Sequence, residues 1–126
     1  MLVKTFGCAV HGIHATLVTV ETNISGGAFF FLVGLPDSAV KESQHRIGAA
    51  LKNIGHKIPV KGVTINMAPA DIKKEGSAYD LTTAIGILAA DDKISNEQLA
   101  DYIIMGELSL DGDLRPVKGV LPIAIE

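Results

Sequence analysis

Two runs near the start of the chain, Leu2 to Val10 and Ala15 to Ile24, place β-branched and other apolar residues in rough alternation with polar ones. A period of two belongs to a strand with one buried face, and the short break His11-Gly12-Ile13-His14 between the runs predicts a β-hairpin. Ser25-Gly26-Gly27 interrupts the pattern, and Ala28-Phe29-Phe30-Phe31-Leu32-Val33 is apolar throughout. Such a run predicts a strand covered on both faces and therefore central in its sheet.

Gly34-Leu35-Pro36-Asp37-Ser38 combines a glycine, a proline suited to a first helical turn and two N-cap residues, so a helix is expected to start there. Val40, Ile47, Leu51 and Ile54 fall on one face of it, Lys41, Glu42, His45, Arg46 and Lys52 on the other, and Gly55 is placed to end it. After the connector Lys57-Ile58-Pro59, Val60 to Met67 sets Val63, Ile65 and Met67 against Gly62, Thr64 and Asn66, predicting a half-buried strand. Lys73-Lys74-Glu75-Gly76-Ser77-Ala78-Tyr79-Asp80 reads as a loop feeding a buried helix. Leu81, Ala84, Ile85, Leu88 and Ala89 mark its apolar face, and Ser77 is the expected cap.

Asp91 to Leu99 is polar and turn-like, with Ser95 or Asn96 expected to cap a short helix. Tyr102 to Met105 predicts a short strand, and Asp111-Gly112 between the alternating runs of Gly106 to Leu114 predicts a hairpin. Val120 to Glu126 starts a further helical pattern with no stop signal, which predicts a parent chain that continues past Glu126.

The chain has 126 residues, 48% of them apolar but only 5% aromatic, so the expectation is one domain with a core of Val, Ile, Leu and Ala. A net charge of -3 argues against a general phosphate-binding surface, which needs clustered Lys and Arg. A local patch of Lys57, Lys61, Lys73 and Lys74 is the candidate DNA contact. The single cysteine, Cys8, excludes an internal disulfide and reads as a buried, inert thiol. No run reaches the roughly 18 apolar residues a membrane helix needs, and a cytoplasmic location is expected.

Candidate chemistry is sparse. No Gly-x-x-x-x-Gly-Lys-Ser/Thr run exists, so no phosphate loop is expected. His11 and His14 flank a turn, His45 and His56 stand far apart, and the lone cysteine has no zinc-spaced partner, so no metal site is expected. Asp91-Asp92 and Asp111 with Asp113 sit in turns, where Asp bonds its own backbone, and His45 reads as a solvated surface group in preference to a catalytic base. The one constellation worth weighing is Ser77 with a lysine, Lys118 or Lys74, because a buried neutral amine can activate a serine.

Lys74-Glu75-Gly76-Ser77-Ala78-Tyr79-Asp80-Leu81, followed by Gly106-Glu107-Leu108-Ser109-Leu110-Asp111-Gly112-Asp113-Leu114-Arg115-Pro116-Val117, resembles the proteolytic domain of the Lon family. With Gly34-Leu35-Pro36-Asp37 and Asn66-Met67-Ala68-Pro69-Ala70-Asp71, the likeness is closer still to the N-terminal domain of the magnesium-chelatase-like AAA+ ATPases, the YifB or ComM family. It spans essentially the whole chain, departing at Lys73, where a proline is common, and at Asp113, where an arginine is common.

The resemblance implies an α/β (α+β) fold of the ribosomal-protein-S5-domain-2-like, Lon-proteolytic-domain-like type. It implies one domain over 1–126, a mixed sheet packed with helices, ahead of an ATPase module. The motif positions Gly34, Pro36, Asp37, Lys74, Glu75, Gly76, Ser77, Asp80, Gly106, Glu107, Gly112 and Pro116 become an expected interface. The Lon nucleophile falls on Ala78 and its lysine on Leu121, so the dyad looks lost, as in the Lon-like domain of the recombination protein RadA. The resemblance thus implies a non-catalytic accessory domain, itself monomeric, that helps assemble or gate a hexameric motor used in DNA processing such as branch migration in competence. ATP and Mg would belong to the parent's own module. The alternatives are a Ser-Lys peptidase or a direct DNA-binding module.

Overall fold

A computed structural model describes residues 1–11, 14–56 and 58–115. The hairpin forms as the alternation predicts: β1 (Leu2–His11) and β2 (His14–Ser25) pair antiparallel, with Thr5 opposite Val20. Their connecting turn lies outside the described residues, as do Lys57, Pro116, Lys118, Leu121 and the expected C-terminal helix.

β4 (Gly62–Ala68) is the half-buried strand that its alternation predicts, with Val63, Ile65 and Met67 buried, whereas β3 (Phe29–Val33) does not take the central place that its apolar run predicts. The sheet order is β1-β2-β4-β3, so the alternating β4 is interior, antiparallel to β2 and parallel to β3, and the all-apolar β3 is an edge strand. Phe30 and Leu32 pack against the core, but Phe31 and Val33 on the other face are 57% and 46% exposed. An apolar run shows that a strand could be covered on both faces and is silent on whether this chain supplies the cover.

Asp37 caps α1 (Ser38–Lys41) by accepting from the Val40 N–H at 2.8 Å. The helical stretch is broken at Glu42 and resumes as α2 (Ser43–Asn53), ending before Gly55, whose φ of 89° suits glycine. Val40, Ile47 and Leu51 are buried as predicted, whereas Ile54 is exposed because the helix has ended. His45 is exposed.

The helix α3 (Asp80–Ala90) shows the pattern's largest error in detail. Ala84 and Ala89 are buried as the pattern expects, but Leu81, Ile85 and Leu88 occupy a partly exposed stripe, and Thr82, Thr83, Gly86, Ile87 and Ala90, which the pattern leaves off the apolar face, are buried. Small residues let this helix lie tight on the β1–β2 hairpin, where a Cβ on Gly86 would come within 2.6 Å of Thr22 Oγ1. Close approach outweighed side-chain size in choosing the buried face.

Ser95 accepts from the Glu97 N–H within a turn and does not cap a helix; the short 3-10 helix Leu99–Asp101 begins after Gln98. Residues 102–105 form no strand among the described residues. They run beside β1, where the Ile104 N–H donates to Phe6 O at 2.7 Å and covers that edge. The Asp-Gly hairpin is present as β5 (Glu107–Leu108) and β6 (Leu114–Arg115). The whole is a mixed α/β fold in which Val18, Val20, Ile65 and Met67 of the sheet meet Ile47, Leu51, Ala84 and Ile87 of the helices.

Candidate functional site

The motif segments, dispersed along the chain, converge where β3 and β4 both end. Gly34 turns the chain at a φ of 105°, and a Cβ there would be driven into the Met67 carbonyl oxygen, so only glycine fits. Pro36 and Lys74 then form a parallel bridge, with the Lys74 N–H donating to Leu35 O at 3.0 Å and the Asp37 N–H to Lys74 O at 2.9 Å. The second carboxylate oxygen of Asp37 accepts from the Gly76 N–H at 3.0 Å, so one side chain caps α1 and pins the loop before α3.

Asp80 opens α3, where a carboxylate is favoured by the helix dipole. It is 1% exposed and receives a two-pronged contact from Arg46 on α2, 2.6 Å from Nε and 2.9 Å from the terminal nitrogen, plus the Leu108 N–H of β5 at 3.1 Å. The same Arg46 donates to Ala39 O at 2.6 Å, and the carboxylate raises its already high pKa. Gly106 joins this network by donating to Ala78 O at 2.8 Å and accepting from the Leu81 N–H at 3.0 Å. Nothing in the sequence marks Arg46 as Asp80's partner, because the two are 34 positions apart.

Ser77 does not cap α3. Its hydroxyl donates to Glu107, whose other carboxylate oxygen lies 3.6 Å from Arg115 Nε, and Ser77 contributes to the helix start only through its carbonyl, which accepts from the Asp80 N–H at 3.1 Å. The first residue of the helix is Asp80, three positions further on, which leaves the Ser77 hydroxyl too early to serve as cap. Lys74 is fully buried, and its ammonium donates to the Pro69 carbonyl. Burial lowers its pKa, against a smaller raising effect of Asp71. The hydroxyl and the amine of the Ser77–Lys74 pairing thus each have a different partner.

These groups border a cavity of about 550 Å³ whose walls include Asp37, Glu75, Ser77, Tyr79, Met105 and Glu107. Tyr79 donates to Cys8 O at 3.1 Å, and burial pushes its phenol up to about 12. Among the described residues no three His, Cys, Asp or Glu side chains converge in a way that could hold a metal. Gly112 stands apart from the rest of the motif, at the hairpin tip beside Ala50 of α2 and Ile54 just past its end.

The candidate DNA patch disperses. Lys61 precedes β4 and pairs with Asp91 at 3.5 Å, while Lys73 follows it and pairs with Glu75 at 3.9 Å. A strand of that length holds its ends about 20 Å apart. Lys74 is withdrawn from the candidates altogether, because a fully buried ammonium cannot reach a phosphate.

This mixed α/β chain belongs to the magnesium-chelatase-like family: residues 20–126 match the family described as Subunit ChlI of Mg-chelatase. Among its relatives are Competence protein ComM of Haemophilus influenzae, 47% identical over 96% of this chain, and YifB of Escherichia coli K12, 44% identical over 94%. Rv2897c of Mycobacterium tuberculosis is 42% identical over 97%. The chain spans 24% of the length of each of these relatives. Among the described residues no helix is long and apolar enough to cross a membrane.

Proposed function

We propose that this chain is a non-catalytic accessory domain of a magnesium-chelatase-like AAA+ ATPase, with the S5-domain-2-like, Lon-like fold that its motifs imply. The observation that carries the reading is that the motif's reactive groups are committed to the fold. Ser77 is held by Glu107, Lys74 by Pro69, Asp37 by two backbone N–H groups, and Asp80 by Arg46 and Leu108. A Ser-Lys peptidase needs a neutral amine within about 3 Å of the serine hydroxyl. ATP and Mg bind elsewhere in the parent, since no Gly-x-x-x-x-Gly-Lys run occurs here. The family resemblance suggests a parent that acts in cytoplasmic DNA processing, in keeping with a relative named Competence protein ComM, and this domain would support the assembly of its ring or the gating of its motor.

The test has two arms. Incubation with a fluorescent denatured protein should leave the substrate intact; cleavage that Ser77→Ala abolishes would refute the reading. In the parent, Lys73→Glu, which reverses an exposed charge of the motif loop without touching the Asp80 network, should leave ATP hydrolysis near the unmodified rate while impairing DNA processing. Activity equal to that of the unmodified parent in both assays would refute a role of this loop in assembly or gating.

A further inference from the structure

The two edges of the four-stranded sheet are treated differently. Residues 102–105 lie along β1, but no described element lies beyond β3, so its outward backbone N–H and C=O groups have no partner among the described residues. Exposed edges are commonly blunted by a charged residue, a proline or a bulge. Here every position from Ser25 to Pro36 is uncharged, and β3 itself is Phe-Phe-Phe-Leu-Val, paired to β4 in unbroken register.

We propose that β3 is a homodimer interface, in which β3 of a second copy pairs antiparallel to it across a two-fold axis at Phe31 and joins the two sheets into one of eight strands. Only an extended backbone satisfies a bare ladder edge, and what singles out a second copy is self-complementarity. A two-fold axis sets each residue against a counterpart on the same strand, a penalty for any charged edge and none for this one. With Phe31 opposite its own copy, Phe29 meets Val33 and Phe30 meets Leu32. Apolar groups therefore meet apolar groups on both faces. The Phe29 and Phe31 rings, 4.9 Å apart on the open face, would continue across the axis as an aromatic row. This interface departs from the monomer that the resemblance implies.

Sedimentation of the chain should show a monomer–dimer equilibrium. Phe31 is exposed, so Phe31→Glu should leave the circular dichroism spectrum and unfolding midpoint near their original values, yet weaken the dimer by about tenfold or more by setting like charges face to face. Register is tested separately by oxidative cross-linking. Phe31→Cys should form a disulfide-linked dimer, Val33→Cys alone should not, and a mixture of Phe29→Cys and Val33→Cys chains should cross-link to each other. A chain that stays monomeric at high concentration would overturn the proposal and point to residues 116–126 or another protein as the cover. So would a dimer that survives Phe31→Glu, or Phe31→Cys chains that fail to link.

Discussion

The Arg46–Asp80 pair offers the sharpest test of the claim that the motif serves the fold. Asp80→Ala removes both contacts from Arg46, at 2.6 and 2.9 Å, and the acceptor for the Leu108 N–H at 3.1 Å. Breaking a buried ion pair by removing one member costs about 3–5 kcal/mol, and a backbone N–H left without a partner about 1–3 kcal/mol. Arg46 keeps Ala39 O and is 21% exposed, so water takes up part of its lost partner and the low end applies. The expected loss is about 3 kcal/mol, a large share of the 5–15 kcal/mol typical of a domain. Asp80→Asn retains an acceptor for Leu108 and should lose about 1 kcal/mol less than Asp80→Ala. Arg46→Met should cost at least as much as Asp80→Ala, because it strands a carboxylate that is 1% exposed with only Leu108 and the helix N-terminus to hold its charge. Urea unfolding followed by circular dichroism measures all three. A loss below about 1 kcal/mol for Asp80→Ala would place the pair among screened surface ion pairs and refute the argument.

The buried Tyr79 ties stability to alkaline pH. With a folded value of about 12 against an ordinary 10.0, the folded state holds its proton longer than the unfolded chain does. Stability is therefore fully present below pH 10.0 and falls towards pH 12, by about 1.4 kcal/mol per unit. Tyr79→Phe should remove that slope in pH-dependent urea titrations. Lys74 acts with the opposite sign, since a lowered amine pKa penalises the folded state at neutral pH, and stability recovers as pH rises from the folded value to the ordinary 10.5; Lys74→Met should therefore gain stability relative to the original chain at neutral pH compared with alkaline pH, in paired thermal melts. Gly86→Ala should cost about 1–3 kcal/mol in chemical denaturation by forcing α3 off Thr22. Ser77→Ala should cost about 1 kcal/mol, and a double-mutant cycle should trace that cost to Glu107.

Much of this architecture is legible residue by residue, and its failures share a cause. The β1–β2 alternation, the Asp37 cap and the Asp111-Gly112 hairpin are local signals whose chemistry acts within a few positions, and they appear where they are read. The rank of β3 and β4 in the sheet depends on which strands find each other across the chain, which composition does not encode. Periodicity finds Ala84 and Ala89 on the buried face of α3 but also favours the large Leu81, Ile85 and Leu88, whereas the sheet selected Thr82 and Gly86 because they are small. Ser77 has the side chain of a cap and the position of a turn residue; only the helix's true start at Asp80 separates the two. Lys74 looks like a surface charge by type, and its burial follows from the bridge between its backbone and Pro36.

A partner can read the motif loop only through the groups it leaves in solvent. Lys74 and Asp80 face inward, and Ser77 is held by Glu107, so the charged side chains that the loop turns to solvent are Lys73 and Glu75, 63% and 69% exposed and 3.9 Å apart. Such a pair is worth little to the domain itself, with exposed ion pairs contributing about 0–1 kcal/mol. Its charges cancel at a distance, so it also steers a partner weakly, and any recognition there rests on short-range contact with the pair and with the turn at Gly76. Lys73→Glu is consequently the informative substitution in this loop. It reverses the exposed charge without touching the network around Asp80, so a change in ring assembly or DNA processing by the parent with unaltered domain stability would assign the loop to an interface. Substituting Lys74 or Asp80 would confound that effect with unfolding.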